Sequence, residues 1–394
     1  MNLAYGKHLF ALGPVVEYGP GVHERIGEIA AEWGSTKAMI VTDSNLVKAG
    51  IVKMVADPLE KHGIGVVLFD KVQTEPTDTQ VYEGAALLKD TGADLLVGLG
   101  GGSAMDAAKA IGVMAENPGK LTDYDQAVSN FPNDKKAKLI TLPTTSGSGA
   151  EIAGWAVVTD SVRSTKMSFG SPYLEPEIAL VDPLLTMSLP RDQTAYSGFD
   201  ALSQAIEGML SKRRTPISVA LGLYAVQLIA ENLPRAVAHG WDEEARANMS
   251  IGSLLAGIVI NTSGCIGVHS LAETMGGLYH KPHGLLVGLC LPHILKFHLP
   301  GDHSLLAKVA GALGIDTYGF SEYEAAGMAI ARIHRLLDEL NFPLISEVGL
   351  KAEDVLLVSQ LALGNACTPD DPCISKEEDF VRILQDALSA ERPL

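Results

Sequence analysis

The sequence predicts an α/β fold in its first half and a helical fold in its second. Three observations carry this. From about residue 35 to residue 185, short β-rich runs alternate with amphipathic stretches. After Leu189-Pro190 the runs lengthen, take on helical periodicity and lose β-branched alternation. The chain has 394 residues, 47% of them hydrophobic and 20% charged, which suits a globular protein long enough for two cores.

The strand candidates are "AMIVTD" (38–43), "GVVLFD" (65–70), "DLLVGLG" (94–100), "KLITLPT" (138–144) and "IALVD" (178–182). Amphipathic stretches such as "IVKMVADPLEKHG" and "TQVYEGAALLKDTG" separate the first of them. Short apolar strands divided by helices imply βαβ units and a parallel sheet covered on both faces. Residues 155–172, "WAVVTD…TKMSFGSP", read instead as a hairpin. Beyond the boundary, "TAYSGFDALSQAIEGMLS", "ISVALGLYAVQLIAENLPRAVA", "DEEARANMSIGSLLAGIVIN" and "GFSEYEAAGMAIARIHRLLDELN" read as helices. The expected division is residues 1–188 and residues 189–394, with a site in the cleft between domains.

Net charge is −17 and the pI about 5.0, which argues against a nucleic-acid partner. The four cysteines, Cys265, Cys290, Cys367 and Cys373, form no CxxC pair and read as reduced thiols of a cytoplasmic protein. The N-terminal stretch lacks a basic region followed by an apolar run, so no signal peptide is expected. Gly, Ser, Asn or charge interrupts the apolar stretches short of the ~18 residues of a membrane span, so no membrane partner is expected.

Three loops and one histidine-rich segment carry candidate chemistry. Gly100, Gly101 and Gly102 end a strand, Ser103 reads as an N-cap, and helix formers follow from Ala104. Such a loop suits a pyrophosphate, though a structural turn reads nearly as well; the pattern is neither GxGxxG nor a P-loop. Asp43 ends the first strand, where a carboxylate can accept from ribose hydroxyls and repel a 2′-phosphate, or simply cap the helix at Ser44–Val52. "PTTSGSGAE" (143–151) follows another strand and offers Thr144, Thr145 and Ser148. "GVHSLAETMGGLYHKPHG" (267–284) holds His269 and His283 fourteen positions apart, with Glu273 and His280 between. The helix of His269 is expected to end at Gly276-Gly277. That spacing is neither a one-helix zinc site nor a Cys/His finger, and by itself it leaves metal binding open.

"GGGSAMDAAK" (100–109), "TLPTTSGSGAE" (141–151), "LVDPLLTMSLP…TAYSGFDALSQAIEG" (180–208) and "VHSLAETMGGLYHKPHG" (268–284) occur in this order and at these separations. Together they resemble the iron-containing, group III alcohol dehydrogenase family, which is related to dehydroquinate synthase. The resemblance covers nearly the whole chain. It extends to "LGNACTPDDP" (363–372), with Asp371 where the family usually has Asn. It implies an N-terminal Rossmann-like nucleotide-binding domain and a C-terminal all-helical metal-binding domain. It also implies a nicotinamide cofactor, a divalent metal (Fe²⁺ first, Zn²⁺ or Mn²⁺ otherwise) and a homodimer. The family's cofactor contacts fall on Asp43, Gly100, Gly101, Gly102, Ser103, Asp106, Thr144, Thr145, Ser148 and Lys166. Its metal ligands fall on Asp200, Gln204, His269 and His283.

Two positions depart from the family pattern. Gln204 stands where a histidine ligand is usual, and its amide oxygen is a weaker donor than imidazole. Glu273 stands where many members carry a proton-shuttling histidine. Three readings follow. A metal sits on Asp200, His269 and His283 with Gln204 weak or outer; or Glu273 swings in as fourth ligand; or no metal binds and hydrogen bonds polarise a carbonyl. Asp200 beside two neutral imidazoles makes a cation site, which favours the first two. His269, Glu273 and His283 are the candidate catalytic groups, with Glu273 or His280 for proton transfer. Trp155, Asn261 and His280 are the candidate substrate contacts, and a bulky indole at Trp155 favours a small aldehyde or alcohol. NAD is expected over NADP because of Asp43. A lyase like dehydroquinate synthase would want several basic residues where this segment offers Lys281. A maleylacetate reductase would lack Asp200. A non-catalytic nucleotide-binding protein, or a metal-independent reductase of a small aldehyde, with or without an anionic tail, remains the alternative.

Overall fold

A computed structural model describes residues 10, 12–125, 137–163 and 165–389. The N-terminal stretch read for a signal peptide lies partly outside them. Two compact units divide the chain, Leu12–Leu189 and a unit from Pro190 onward.

In the first unit the elements run β1 (Val15–Tyr18), α1 (Ile26–Glu32), β2 (Lys37–Val41), α2 (Ser44–Lys48), α3 (Ile51–Lys61), β3 (Gly65–Phe69), α4 (Asp78–Thr91), β4 (Leu95–Gly100), α5 (Gly102–Glu116), β5 (Lys138–Pro143), β6 (Trp155–Asp160), β7 (Thr165–Gly170) and β8 (Ile178–Val181). Six strands form one parallel sheet in the order β1-β8-β5-β4-β2-β3. The strands read from sequence are all present, and 155–172 is the antiparallel hairpin β6–β7. The four-residue edge strand β1 has no counterpart among the sequence candidates, because "VVEY" is too short a run between its glycines and Pro14. The helix expected over Ser44–Val52 is broken at Gly50, which adopts φ 79° and opens α3.

Both faces of the sheet are covered, which explains why its strands read as continuous apolar runs. Met39, Val41, Leu96 and Leu139 join one buried cluster with residues of α4 and α5. Their neighbours Ala38, Ile40, Leu95, Val97 and Ile140 join another with residues of α1 and α3. The strand order reverses between β2 and β4. β3 lies on one side of β2, and the chain returns through α4 to place β4 on the other. Ligands in open α/β sheets bind outside the carboxyl ends of strands at such a switch point.

The second unit is helical: α6 (Arg191–Leu210), α7 (Pro216–Ala238), α8 (Glu243–Ser263), α9 (Gly267–Tyr279), α10 (His283–Ala312), α11 (Glu322–Glu339), α12 (Val355–Leu363) and α13 (Glu377–Ser389). Every residue of α6 from Gly198 to Leu210 is buried, with α7, α8 and α10 packed around it. Against the sequence expectation, α7 and α10 are long and apolar enough to cross a membrane by length and composition. Isolated polar residues do not lower a window average far. In α10, 72% of that apolar window is buried within the protein.

A buried polar network ties α5 to the hairpin. Lys109 is 2% exposed and donates to the Trp155 carbonyl at 2.7 Å. Asp106 accepts from the Val157 N–H at 3.0 Å and lies 3.6 Å from Lys109 Nζ. Burial raises the Asp106 pKa and lowers that of Lys109, each partly offset by the other's charge. Glu151, also buried, has its pKa pushed up to about 7 by loss of hydration. Between its ordinary value of 4.5 and about 7, the unfolded chain releases this proton while the fold retains it. Stability contributed by the protonated carboxyl is therefore lost as pH rises through that window, by roughly 3 kcal/mol. We expect Glu151→Gln to flatten this fall, read as urea midpoints at about pH 5 and about pH 8.

Candidate active site

Three donor atoms converge in the helical unit. Asp200 Oδ1 lies 3.5 Å from His269 Nε2 and 3.8 Å from His283 Nε2. The donor atoms of the three residues lie within 4.8 Å of one another. Each arrives from a different element: Asp200 from the middle of α6, His269 from the first turn of α9, His283 as the first residue of α10. The helix of His269 does not end at Gly276-Gly277 as expected. It runs on to Tyr279 and stops at His280, whose left-handed backbone (φ 53°) turns the chain. Pro282 then precedes α10 in an extended conformation. Gly284 lets α10 approach α6: a methyl group there would stand 2.2 Å from the Tyr196 carbonyl oxygen.

Two members of the cluster are buried, His283 is partly exposed, and the cluster is incompletely satisfied. Asp200 and His269 are 6% and 4% exposed. Asp200 Oδ1 and, one turn on, Gln204 Oε1 are buried without a hydrogen-bond partner. Such orphaned oxygens are costly unless something positive meets them. Two oxygens and two imidazoles form a donor set that fits a divalent cation. Burial works to raise the Asp200 pKa, but the two imidazoles and the Gln204 amide outweigh it and lower the net value.

Glu207 is the residue that sequence reasoning missed. It is fully buried. Its Oε1 accepts from His269 Nδ1 at 2.6 Å and from Ser203 Oγ at 2.7 Å. Its Oε2 accepts from the Ile266 N–H at 3.0 Å and the His269 N–H at 3.3 Å. The Nδ1–H is thereby committed, and Nε2 is left to face Asp200. Burial would lower the His269 pKa, but Glu207 and Asp200 outweigh it and raise the value well above the ordinary one. A signal for Glu207 was present: it follows Asp200 by seven positions, on the same helix face, as the one acid in "LSQAIEGML".

Other expected residues fall outside the triad. Glu273 accepts from Asn365 Nδ2 at 2.7 Å and is not among the converging donors, so the reading in which it completes the metal shell is not the arrangement found. His280 and Lys281 are exposed, and Asn261 lies half-buried near the end of α8.

In the first unit, Asp43 follows β2 and Gly101–Gly102 follow β4, the two strands at the switch point. Asp43 caps α2, its Oδ1 accepting from Asn45 N at 2.7 Å and Leu46 N at 3.3 Å, and it follows β2 by two residues. The capping role is met, and the ribose role stays compatible with it. Gly100, at φ 151°, ends β4, and its carbonyl accepts from Thr144 N at 3.0 Å. The glycine loop and the hydroxyl loop thus lie side by side. A methyl on Gly101 would meet the Thr145 methyl at 3.5 Å, and one on Gly102 would meet Ser148 Oγ at 3.0 Å. The N-cap of α5 is Gly101 rather than Ser103. Ser103 sits inside the first turn and its hydroxyl donates to the Thr74 carbonyl, while Lys166 pairs with Glu75 at 3.0 Å. Asp106 is already engaged by Val157 and Lys109. Trp155 is 40% exposed, so its indole is not core packing.

We expect Glu207→Gln to weaken divalent-metal binding by about 10- to 100-fold, because the amide no longer offers a charged acceptor to Nδ1–H. Metal titration of chelated protein, with unfolding curves as a control for the fold, reads this directly.

Comparison with known proteins follows the same division. The description "Iron-containing alcohol dehydrogenase" matches residues 14–183, and "Fe-containing alcohol dehydrogenase family, C-terminal" matches residues 194–388. The NAD-dependent methanol dehydrogenase of Bacillus methanolicus is 37% identical over 96% of this chain and 99% of its own length. The 1,3-propanediol dehydrogenase of Citrobacter freundii is 34% identical over 94% of this chain and 96% of its own. A solved structure of 1,3-propanediol oxidoreductase superposes with a TM-score of 0.94 at 32% identity, covering 97% of this chain and all (100%) of that one. With both halves matched in order and the Asp-His-His cluster in place, the chain belongs to the iron-containing alcohol dehydrogenase family.

Proposed function

We propose that the chain is an NAD-dependent oxidoreductase that interconverts a small primary alcohol and its aldehyde, with a divalent cation held by Asp200, His269 and His283. The observation that carries this is Asp200 Oδ1, buried without a hydrogen-bond partner beside two imidazole nitrogens. Relatives whose names specify methanol, 1,3-propanediol and lactaldehyde support a small substrate.

When bound, the cation would supply Lewis acidity, and the nicotinamide would accept hydride from the alcohol or, in its reduced form, return it to the aldehyde. The protein's own groups do the rest. Glu207 holds the His269 ring with Nε2 directed at the cluster. Gln204 adds a neutral oxygen where the family usually has imidazole, so the site binds its cation more weakly than a three-nitrogen set would. Glu273, oriented by Asn365, is the candidate for passing a proton. The adjoining glycine and hydroxyl loops, at the N-terminus of α5, suit a pyrophosphate, and Asp43 suits the ribose.

Two outcomes are expected. Chelation abolishes turnover, and Fe²⁺, Zn²⁺ or Mn²⁺ restores it, with Gln204→His tightening the binding; elemental analysis beside activity checks this. Full turnover by protein with no detectable metal would replace the cation with hydrogen bonding from His269 and His283. The ratio of kcat/KM for NADH over NADPH exceeds one, and Asp43→Gly narrows it. A native preference for NADPH removes Asp43 from the cofactor site.

A further inference from the structure

A second group of donors converges elsewhere in the helical unit. His298, Asp302 and Cys373 each offer one ligand atom, and the three atoms lie within 4.8 Å of one another. His298 and Asp302 are one turn apart on α10. The helix breaks at Asp302 (φ −118°, ψ 17°), two residues after Pro300. Cys373 arrives from the segment after α12. Asp302 Oδ2 lies 3.2 Å from His298 Nδ1 and 3.7 Å from Cys373 Sγ. Zinc bonds of about 2.0–2.3 Å in a tetrahedron put their donors roughly 3.3–3.8 Å apart, so the edges are nearly those of a coordination shell.

Asp371 supports two of the three directly, the ring of His298 and the backbone of Cys373. Its carboxylate lies 3.1 Å from His298 Nε2. It also accepts from Cys373 N at 2.8 Å and Ile374 N at 2.7 Å through Oδ1, and from Gly267 N at 3.0 Å through Oδ2. It therefore takes the Nε2–H, leaves Nδ1 for Asp302, and shapes the turn that presents Cys373. A carboxylate on the far nitrogen of a histidine is the usual support of a ligating imidazole. With Nε2–H committed, a neutral His298 would turn the Nδ1 lone pair toward the Asp302 carboxylate. Two acceptors at that distance need a positive charge between them, either a proton or a metal. Arg214 does not supply it. Its guanidinium approaches the other oxygen, Asp302 Oδ1, at 3.8 Å and donates to the Leu210 carbonyl at 2.8 Å. Side-chain exposure is 0% for His298 and Asp371 and 10% for Asp302, so water screens that part of the group weakly, while Cys373 is half-buried.

We propose that His298 Nδ1, Asp302 Oδ2 and Cys373 Sγ form a second divalent-metal site that ties the break in α10 to the C-terminal segment. One nitrogen, one oxygen and one thiolate make it a zinc-type donor set, softer than the Asp200 cluster, which has no sulfur. The site is structural in character and distinct from the hydride-transfer chemistry. On binding, the proton on His298 Nδ1 and the thiol proton of Cys373 leave to solvent. N–metal and S–metal bonds replace them, with no change of oxidation state.

The test uses the full-length protein stripped by chelation and titrated anaerobically with Co²⁺ and, separately, Zn²⁺. A thiolate–Co²⁺ charge-transfer band in the near ultraviolet reports sulfur ligation. Wild type is expected to take up two equivalents of Zn²⁺ per chain and to show the band with Co²⁺. His283→Ala, which disables the Asp200 cluster, should keep one equivalent and the band. Adding Cys373→Ser to that variant should remove the band and weaken the remaining Zn²⁺ binding by about tenfold or more. His298→Asn provides a second route to the same loss if the serine variant does not fold. Wild-type protein that shows no thiolate band overturns the proposal. So does a band that survives Cys373→Ser, since sulfur from Cys265 or Cys367 would then be its source.

Discussion

Two carboxylates buried on one face of α6 organise the helical unit. A buried carboxylate without partners is strongly unfavourable, so each must be satisfied. Glu207 is satisfied internally by a hydroxyl, two backbone N–H groups and an imidazole. Those partners lie on α6, on the entry to α9 and on His269 itself. The carboxylate therefore fixes the start of α9 and the ring of His269 together. Asp200 is the opposite case, with one oxygen left over beside two imidazoles. One acid is spent on architecture and the other is kept for a ligand.

The same contrast runs through the first unit. Buried Lys109 and half-buried Asp106 hold the β6–β7 hairpin to α5. Ser103 and Lys166, expected at the cofactor, are drawn to neighbouring positions, Thr74 and Glu75, on the loop before α4. The backbone is what stays available: glycine at the end of β4, the first turn of α5, and the hydroxyl loop laid beside them. A helix leaves its first N–H groups without intrahelical partners, and that is what an anionic ligand needs.

Asp371 shows how one buried carboxylate can recruit a neighbourhood. An amide offers one acceptor oxygen and no charge. A carboxylate accepts on both oxygens, and Asp371 uses them for three backbone N–H groups and the His298 ring. His298 and Asp371 each counter the other's burial. Burial would lower the His298 pKa, but Asp302 and Asp371 outweigh it and raise the value well above the ordinary one; burial would raise that of Asp371, but His298 and two backbone N–H groups lower it.

The sequence by itself determined the local elements and the order of the motifs. Alternating apolar strands and the hairpin at 155–172 were legible locally, while Asp200, Gln204, His269 and His283 came as ligand candidates only from the resemblance. Hydrophobic period and residue type are local properties of the chain. Tertiary structure alone decided the rest. β1 exists because a parallel neighbour, β8, completes its hydrogen bonds. Ser103 is not the cap of α5, because the turn at Gly100–Gly101 places it one step inside the helix. Glu273 stands apart from the three donors because Asn365, 92 positions away, holds its carboxylate. Glu207 and His269, 62 positions apart, meet because α6 and α9 pack together. A side chain's role at a site depends on which distant donor satisfies it first, and linear spacing carries no record of that pairing.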